Sequence, residues 1–198
     1  MSQIKLKHSG GNSVIIAAPD SNPASDRTLK LPGDADGTIL TTNTAVGKIL
    51  QVLQNTKKDT ASTNSTSFTS TGLSQTITPS SANSKILVMY SLFISVPAGT
   101  YSAGTSIIRD NTEIFIADGL GSSDRVTTFM WPGGGRDPSL HSHTFLDSPN
   151  TTSSVSYSIE YKSFYSEATV YIGRSDTSST SVYHGTTPSS LTLMEVAP

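Results

Sequence analysis

Apolar and polar residues alternate along this chain over short segments that are separated by turn residues. A period of two is the pattern of half-buried β-strands, and it is clearest in residues 153–165. One face of this segment carries Val155, Tyr157, Ile159 and Tyr161. Residues 85–96, KILVMYSLFISV, are apolar at most positions and rich in strand-forming side chains. We therefore expect residues 85–96 to form a central strand.

The remaining apolar segments are also short and bounded by turns. Residues 45–55 fit a helix or a strand; we favour a strand with Leu50, Val52 and Gln54 on one face. Ile49, Gln51 and Leu53 would then lie on the other face. Asp110-Asn111-Thr112 fits a tight hairpin turn in which Asn111 adopts a positive φ. Further strands are predicted at 67–70, 75–78, 105–109, 113–117, 126–131, 140–146, 168–172 and 191–196.

About eight strands without a clear helix predict an all-β fold, an antiparallel β-sandwich of the jelly-roll kind. The first part of the chain differs from the rest because its strands are shorter. Apolar segments at 4–7, 13–17 and 28–31 are separated by Gly, Pro and Asn. Such short strands need a partner surface to bury a core. We therefore predict an N-terminal docking arm over residues 1–45 and a sandwich domain over residues 46–198.

Composition narrows the classes of partner. Charged residues make up only 14% of the chain, so Ser and Thr supply most of the polar surface. The net charge of −2 carries no electrostatic signature of nucleic-acid binding. The chain has no cysteine, which excludes disulfides and thiolate chemistry. It has no apolar run of membrane-spanning length and no recognisable secretory signal.

His141 and His143 are the strongest candidate for a metal site. Residues i and i+2 of a strand point to the same face, so two imidazoles could share one ion. The ordinary interpretation is a pair that decorates a strand near a loop, with one ring in solvent. We favour it because no further histidine pair lies nearby, and we therefore expect neither a metal nor a cofactor.

Catalysis is not predicted. Gly119-Leu120-Gly121-Ser122-Ser123 lacks the glycine spacing of a nucleophile elbow. Glycoside cleavage needs two carboxyl groups on either side of the scissile bond. The candidates are Asp110, Glu113, Asp118, Asp124, Asp137 and Glu160. Asp110 and Asp118 fall in predicted turns, and we expect Glu160 to face solvent.

Aromatic and charged residues near strand ends are candidate contact points. Ring faces stack on sugars or anchor protein interfaces, and otherwise they pack in the core. The candidate rings are Trp131, Tyr165, Tyr171 and Tyr183. The charged segments Lys57-Lys58-Asp59 and Arg136-Asp137 are expected to be solvated loops.

Several phrases of this chain resemble, in the same order, small tail-fibre and other virion proteins of tailed phages, especially those of marine bacteria and cyanobacteria. The first is the segment that begins IKLKHSGGNSVI at Ile4 and continues through TLKLP at residues 28–32. The others are GKILQV at 47–52, ITPSS at 77–81, SKILV at 84–88, FLDSP at 145–149, YIGR at 171–174 and SLTLMEVAP at 190–198.

The resemblance implies a virion structural protein that is made in the host cytoplasm, is not an enzyme and assembles as a homotrimer. A tail-fibre-type protein that presents the sandwich to a host surface glycan or protein is the leading hypothesis. The N-terminal arm would dock onto other virion proteins. A capsid decoration protein on the head is the alternative, and a polysaccharide-degrading spike is a weaker one. Neither nucleic acid nor membrane is an expected partner.

Overall fold

The computed structural model describes residues 3–7, 9–11, 13–17, 48–97, 99, 101–131, 138–176 and 184–198. Every regular element within these residues is a β-strand, which confirms the all-β prediction. The chain divides into two compact units, Met1–Asn43 and Thr44–Pro198.

The first unit contains a short antiparallel hairpin. Strand β1, Gln3–Lys7, pairs with β2, Ser13–Ala17, from Gln3 opposite Ala17 to Lys7 opposite Ser13. Gly11 lies in the connection at φ 94°, a left-handed conformation that glycine adopts without a steric penalty. The strand predicted at residues 28–31 lies outside the described residues.

The second unit contains eleven strands among its described residues. Their bounds are β3 Ile49–Lys57, β4 Ala61–Thr63, β5 Thr69–Ile77, β6 Lys85–Ser95, β7 Ala103–Arg109, β8 Thr112–Ile114, β9 Thr128–Met130, β10 Ser139–Asp147, β11 Val155–Ser163, β12 Val170–Ile172 and β13 Ser189–Val196. Strand β4 was not predicted, since ASTNSTS looks like a polar connection.

These strands form two antiparallel sheets. In the first sheet β13 lies between β3 and β6, and β10 pairs with the other side of β6. Short strands β12 and β4 continue this sheet beside the end of β6. In the second sheet β11 lies between β5 and β7, and β7 pairs with both β8 and β9.

The pairing is nested. The first long strand pairs with the last, β5 with β11, β6 with β10, and β7 with the short strands that follow it. Folding such a nested hairpin into two packed sheets gives a jelly roll, and the prediction of this sandwich is confirmed. The predicted central strand is confirmed, since β6 pairs with a strand on each side. The predicted hairpin turn is confirmed as well, since Asp110 and Asn111 connect β7 and β8 at φ 45° and 68°.

The core lies between the sheets and is made by alternate residues of each strand. Val155, Tyr157, Ile159 and Tyr161 of β11 are all buried, as their period of two predicted. They face β6, whose Ile86, Val88, Tyr90, Leu92 and Ile94 are buried as well. Burying apolar area is the main favourable contribution to the stability of such a sandwich.

A charged cluster connects the sheets at one end of the core. Nη1 of Arg109 on β7 donates to both carboxylate oxygens of Asp147 on β10, at 2.8 Å each. The hydroxyl of Tyr157 on β11 donates to the same carboxylate at 2.6 Å. Burial raises the pKa of Tyr157, and the hydrogen bond to Asp147 raises it further. We call these three residues the charged cluster.

An uncharged chain of hydrogen bonds connects the sheets elsewhere. Nδ1 of His141 lies 2.9 Å from the hydroxyl of Thr128, which is hydrogen-bonded to the hydroxyl of Thr105. The Thr105 hydroxyl lies 3.1 Å from that of Tyr90. His141 is 8% exposed, and burial lowers its pKa to about 4, so its ring is neutral at pH 7. We call these four residues the uncharged chain.

Candidate functional site

An aromatic cavity of about 620 Å³ opens beside the outward side of the second sheet. Phe129 of β9 and Phe164 and Tyr165, which follow β11, supply its rings. The loop between β8 and β9 supplies Asp124, Val126 and other lining residues. A concave site that combines apolar rings with a few polar groups is the usual form of a small-ligand site. We call this site the aromatic cavity.

Gly104 makes the floor of the aromatic cavity possible. It lies on β7 with its missing side chain directed outward, and an added Cβ would lie 2.8 Å from Cγ1 of Val126. The same Cβ would lie 3.0 Å from Cζ of Phe164. Glycine at this position therefore lets Val126 and Phe164 pack directly on the strand backbone.

Hydrogen bonds fix the two segments that carry the cavity walls. The amide of Thr127 donates to the carbonyl of Thr105 at 2.8 Å, and the amide of Phe164 donates to the carbonyl of Ser102 at 3.1 Å. Nε of Arg125 donates to the carbonyl of Ala117 at 2.6 Å, which closes the β8–β9 loop on itself. The lining residues are thus held by backbone contacts with β7 and its neighbours.

Lys162 lies beside the aromatic cavity and lines the neighbouring one. Its ammonium lies 5.0 Å from the ring centroids of both Phe68 and Phe164, a cation–π arrangement. It also lies 3.2 Å from a carboxylate oxygen of Asp124. The side chain of Lys162 is 11% exposed, whereas that of Asp124 is 54% exposed. Asp124 therefore remains accessible to a ligand while its charge is partly balanced.

The predicted aromatic contact residues have different positions. Trp131 is 63% exposed and follows Phe129 on the same outward side, and its Nε1 donates to the carbonyl of Gly99 at 3.3 Å. Tyr165 lines the cavity and packs edge-on against Tyr101 at 5.8 Å between centroids. The guanidinium carbon of Arg174 lies over the ring of Tyr171, 4.3 Å from its centroid. Tyr183 lies outside the described residues.

The predicted carboxylates are only partly brought together. Glu113 and Asp124 line a neighbouring, more open cavity of about 840 Å³ together with Lys162 and Arg125. Asp110 instead accepts a hydrogen bond from the amide of Ser156 at 2.9 Å, which is the turn role expected for it. Asp118 is exposed, and Asp137 lies outside the described residues. Glu160 was expected in solvent but is half-buried.

The histidine pair lies on one face of β10, as predicted, but that face is the inner one. His141 belongs to the uncharged chain, and His143 packs edge-on against Phe115 at 5.5 Å between centroids. The expectation that one ring of the pair lies in solvent is only partly met: His141 is buried, whereas His143 is half-buried beside the 40% exposed Phe115. Among the described residues, no group of three His, Cys, Asp or Glu side chains is arranged to hold a metal ion.

Lys57 also departs from its prediction. It was expected in a solvated loop, but it ends β3 with 8% of its side chain exposed and lies against Gly72. Its ammonium pairs with Asp59 at 3.0 Å, and that hydrogen bond lowers the pKa of Asp59. The Gly119–Ser123 segment is an exposed turn closed by the amide of Ser123 on the carbonyl of Leu120.

Sequence reasoning missed Phe129, Phe164 and Lys162 as cavity residues. A signal was present, since Phe129 and Trp131 alternate with the buried Met130, and Phe164 follows Lys162 at the same spacing. Two large rings in the outward phase of a strand indicate a covered or binding surface. The role of Gly104 could not be anticipated, because its neighbours come from distant parts of the chain.

Comparison with known proteins adds no assignment to this geometry. No protein-family model matches the sequence, and no curated protein matches it. In the part of the chain that the structure describes, no helix is long and apolar enough to cross a membrane.

Proposed function

We propose that this chain is a structural protein of a tailed-phage virion, of tail-fibre type, whose β-sandwich contacts the host surface. The observation that carries the proposal is the aromatic cavity, with Phe129 58% and Tyr165 40% exposed. Rings that are exposed around a cavity leave apolar surface in contact with water, which is unfavourable, and they contribute little to core packing. Their position is accounted for by a ligand that covers them.

A surface glycan is the ligand that fits this lining best. The apolar face of a sugar ring stacks on an aromatic side chain. Its hydroxyls need hydrogen-bond partners, and the 54% exposed carboxylate of Asp124 offers acceptor oxygens beside the rings. A host surface protein is the second ligand class, since aromatic residues also anchor protein interfaces.

The proposal includes assembly and location. The leader phrase that begins at Ile4 resembles phage virion proteins, and β1 and β2 are short enough to add to a partner's sheet. We therefore infer that residues 1–45 dock onto other virion proteins and that the chain is a homotrimer. It would be made in the host cytoplasm and function in the virion. Neither catalysis nor a cofactor is part of this proposal.

Location on the particle is the first test. A gold-labelled antibody against the chain should decorate the tails of intact virions in electron micrographs. Label spread over the heads would contradict the tail-fibre proposal and favour the decoration protein described below. Virions from an unrelated phage provide the control for background labelling.

Adsorption tests the cavity itself. Phages that carry Phe129→Ala should adsorb to host cells at least about fivefold more slowly, because loss of one stacking ring removes about 1–3 kcal/mol of contact energy. The matched control is Leu120→Ala, which removes an 80% exposed apolar side chain outside the cavity lining. Equal adsorption by both variants would contradict a role of the cavity in host contact.

A capsid decoration protein is the second candidate function. The observation that favours it is an apolar surface on the outward side of the first sheet, where Val52 is 54% and Leu146 47% exposed. A cement protein would use such a surface on capsid subunits. This candidate predicts high copy number on heads and capsids that break more easily on heating when the gene is deleted.

A polysaccharide-degrading spike is a weaker alternative, based on the open cavity that Glu113 and Asp124 share. It predicts that the purified chain releases reducing sugar from host polysaccharide and that Glu113→Gln abolishes the release. Absence of release from host polysaccharide would exclude it.

A further inference from the structure

The outward positions of β5 in the second sheet differ in character from those of the long strands in the first sheet. On the second sheet, exposed outward positions of β5 are Ser70, Gly72, Ser74 and Thr76. The outward Ile108 of β7 is buried at 7% exposure. Antiparallel sheets usually present such a polar side to water. The first sheet does not follow this pattern.

A row of apolar side chains crosses the outward side of the first sheet. Val52 pairs with Met194, Met194 with Leu87, and Leu87 with Leu146, so the row spans β3, β13, β6 and β10. Val52 and Leu146 at its two ends are 54% and 47% exposed. Met89, 38% exposed, extends this surface along β6. We call the outward side of these four strands the outer apolar face.

The outer apolar face is almost uncharged. Lys85 is the single charged residue at the outward positions of these described strands, and its ammonium is tied to the hydroxyl of Ser148 at 2.8 Å. Two outward rows from the apolar row, the hydroxyl oxygens of Ser190 and Ser91 lie 3.2 Å apart. A hydroxyl both donates and accepts, so an identical surface can satisfy it. Apart from Lys85, these outward positions carry no charge that would repel a second copy of the chain.

The shape and size of the outer apolar face also fit a second copy of the chain. A dent of about 530 Å³ lined by Met89, Leu140 and Ser142 lies beside the apolar row, so the face carries both a ridge and a recess. Strands about 4.8 Å apart and residues about 3.4 Å apart give four strands of nine residues an area of about 600 Å². Two such faces exceed the roughly 1,000 Å² expected of a specific interface.

We propose that the outer apolar face is the surface through which copies of this chain bind one another. The inference identifies the surface for the self-association included in the proposed function and rests on that proposal for the number of copies; in a homotrimer the three faces would meet about the three-fold axis. Burial of the row removes from water apolar side chains that no described residue of the same chain covers.

Mass measurement of the full chain tests this surface. Analytical ultracentrifugation should find the wild-type chain as an oligomer. Val52→Glu and Leu146→Glu should weaken association by about a hundredfold or more, because each places like charges in the interface. Ser74→Glu is the matched control, an exposed strand residue on the other sheet, and should leave the mass unchanged. Circular dichroism shows whether each variant is folded.

Because the chain has no cysteine, disulfide cross-linking of an introduced cysteine gives a second test, one that places no charged residue in the sheet. Met89→Cys should form a cross-linked pair of chains when oxidised at low concentration, and Ser74→Cys should not. A wild-type chain that sediments as a monomer, or an oligomer that neither glutamate variant weakens, would overturn the proposal. An oligomer weakened by both variants but containing two chains would support the surface and contradict the homotrimer. Tail or head labelling of virions is independent of all these outcomes.

Discussion

The charged cluster and the uncharged chain connect the same two sheets by different chemistry. In the charged cluster Asp147, 7% exposed, accepts hydrogen bonds from Arg109 and Tyr157. In the uncharged chain His141, Thr128, Thr105 and Tyr90 exchange hydrogen bonds between neutral groups. Both satisfy buried polar atoms, as an interior of low dielectric constant requires.

The difference between them lies in what remains when one member is removed. A neutral chain that loses one hydroxyl leaves a neighbour with one unsatisfied hydrogen bond. A buried carboxylate or guanidinium that loses its partner leaves an uncompensated charge, which costs more. The two connections should therefore differ most under substitution and under change of pH.

Removal of the carboxylate should have the largest effect. Asp147→Ala leaves Arg109 without its partner, and we expect a loss of about 3 kcal/mol in the free energy of unfolding. This value is at the lower end for buried pairs because Arg109 is 28% exposed and keeps contact with water. Urea denaturation followed by circular dichroism measures it. Asp118→Ala, at an exposed loop position, should cost almost nothing, and equal losses in the two variants would contradict the charged cluster.

Tyr157→Phe should have the next largest effect. It removes a 2.6 Å hydrogen bond to a carboxylate while keeping the ring in the core, and we expect a loss of about 2 kcal/mol. The same denaturation experiment measures this loss. A cost below that of Tyr90→Phe would show that charge does not strengthen this connection.

The uncharged chain should make stability depend on pH. The unfolded chain binds a proton at His141 with an ordinary pKa of about 6.5, whereas burial lowers the folded-state pKa to about 4. The unfolded state therefore binds more protons between these values, so stability falls as pH drops through this window.

The size of this pH effect follows from the shift. Between pH 7 and pH 5, His141 should account for a loss of about 2 kcal/mol. The hydroxyls of Thr128 and Tyr90, which lie near His141, stay neutral in this range. The charge of the neighbouring His143 lowers the pKa of His141 further, as burial does. His141→Gln should remove this share of the pH dependence in denaturation curves, whereas His184→Gln should not. If the free energy of unfolding fell equally with pH in the wild-type chain and in His141→Gln, the prediction would be contradicted.

Tyr90→Phe should have the smallest effect. It removes the last hydroxyl of the uncharged chain, which makes one neutral hydrogen bond of 3.1 Å with Thr105. We expect a loss of about 1 kcal/mol, half that of the same change at Tyr157. Thermal unfolding of the two Tyr→Phe variants side by side measures this ratio, and an equal shift in both would remove the distinction between the connections.

Much of the fold was predictable because the alternation of apolar and polar residues in a strand indicates which of its side chains are buried. The period of two in residues 153–165 identified four buried side chains of β11, and the apolar run at 85–96 identified β6 as central. That run is apolar in both phases, which indicates cover on both sides of the sheet. The outer apolar face is the second of these sides.

The site could not be predicted to the same degree, because its contacts join residues far apart in the chain. Lys162 lies in the phase opposite the predicted buried face of residues 153–165, but its position between Phe68 and Phe164 depends on how β11 passes the segment before β5. Asp147 lies just after the strand predicted at 140–146, yet its partners come from β7 and β11. Periodicity carries no information on such pairs.

The place of β13 has a consequence for protein synthesis. This last strand lies between β3 and β6, and the amide of Ala197 donates to the carbonyl of Lys48 at 2.9 Å, next to the start of β3. Until the ribosome has released residues 189–196, β3 lacks its partner and one side of β6 stays open. A nascent jelly roll of this topology therefore cannot close until residues 189–196 have left the ribosome. A stop codon placed just before β13 would leave the edges of β3 and β6 unpaired, and such exposed strand edges promote aggregation.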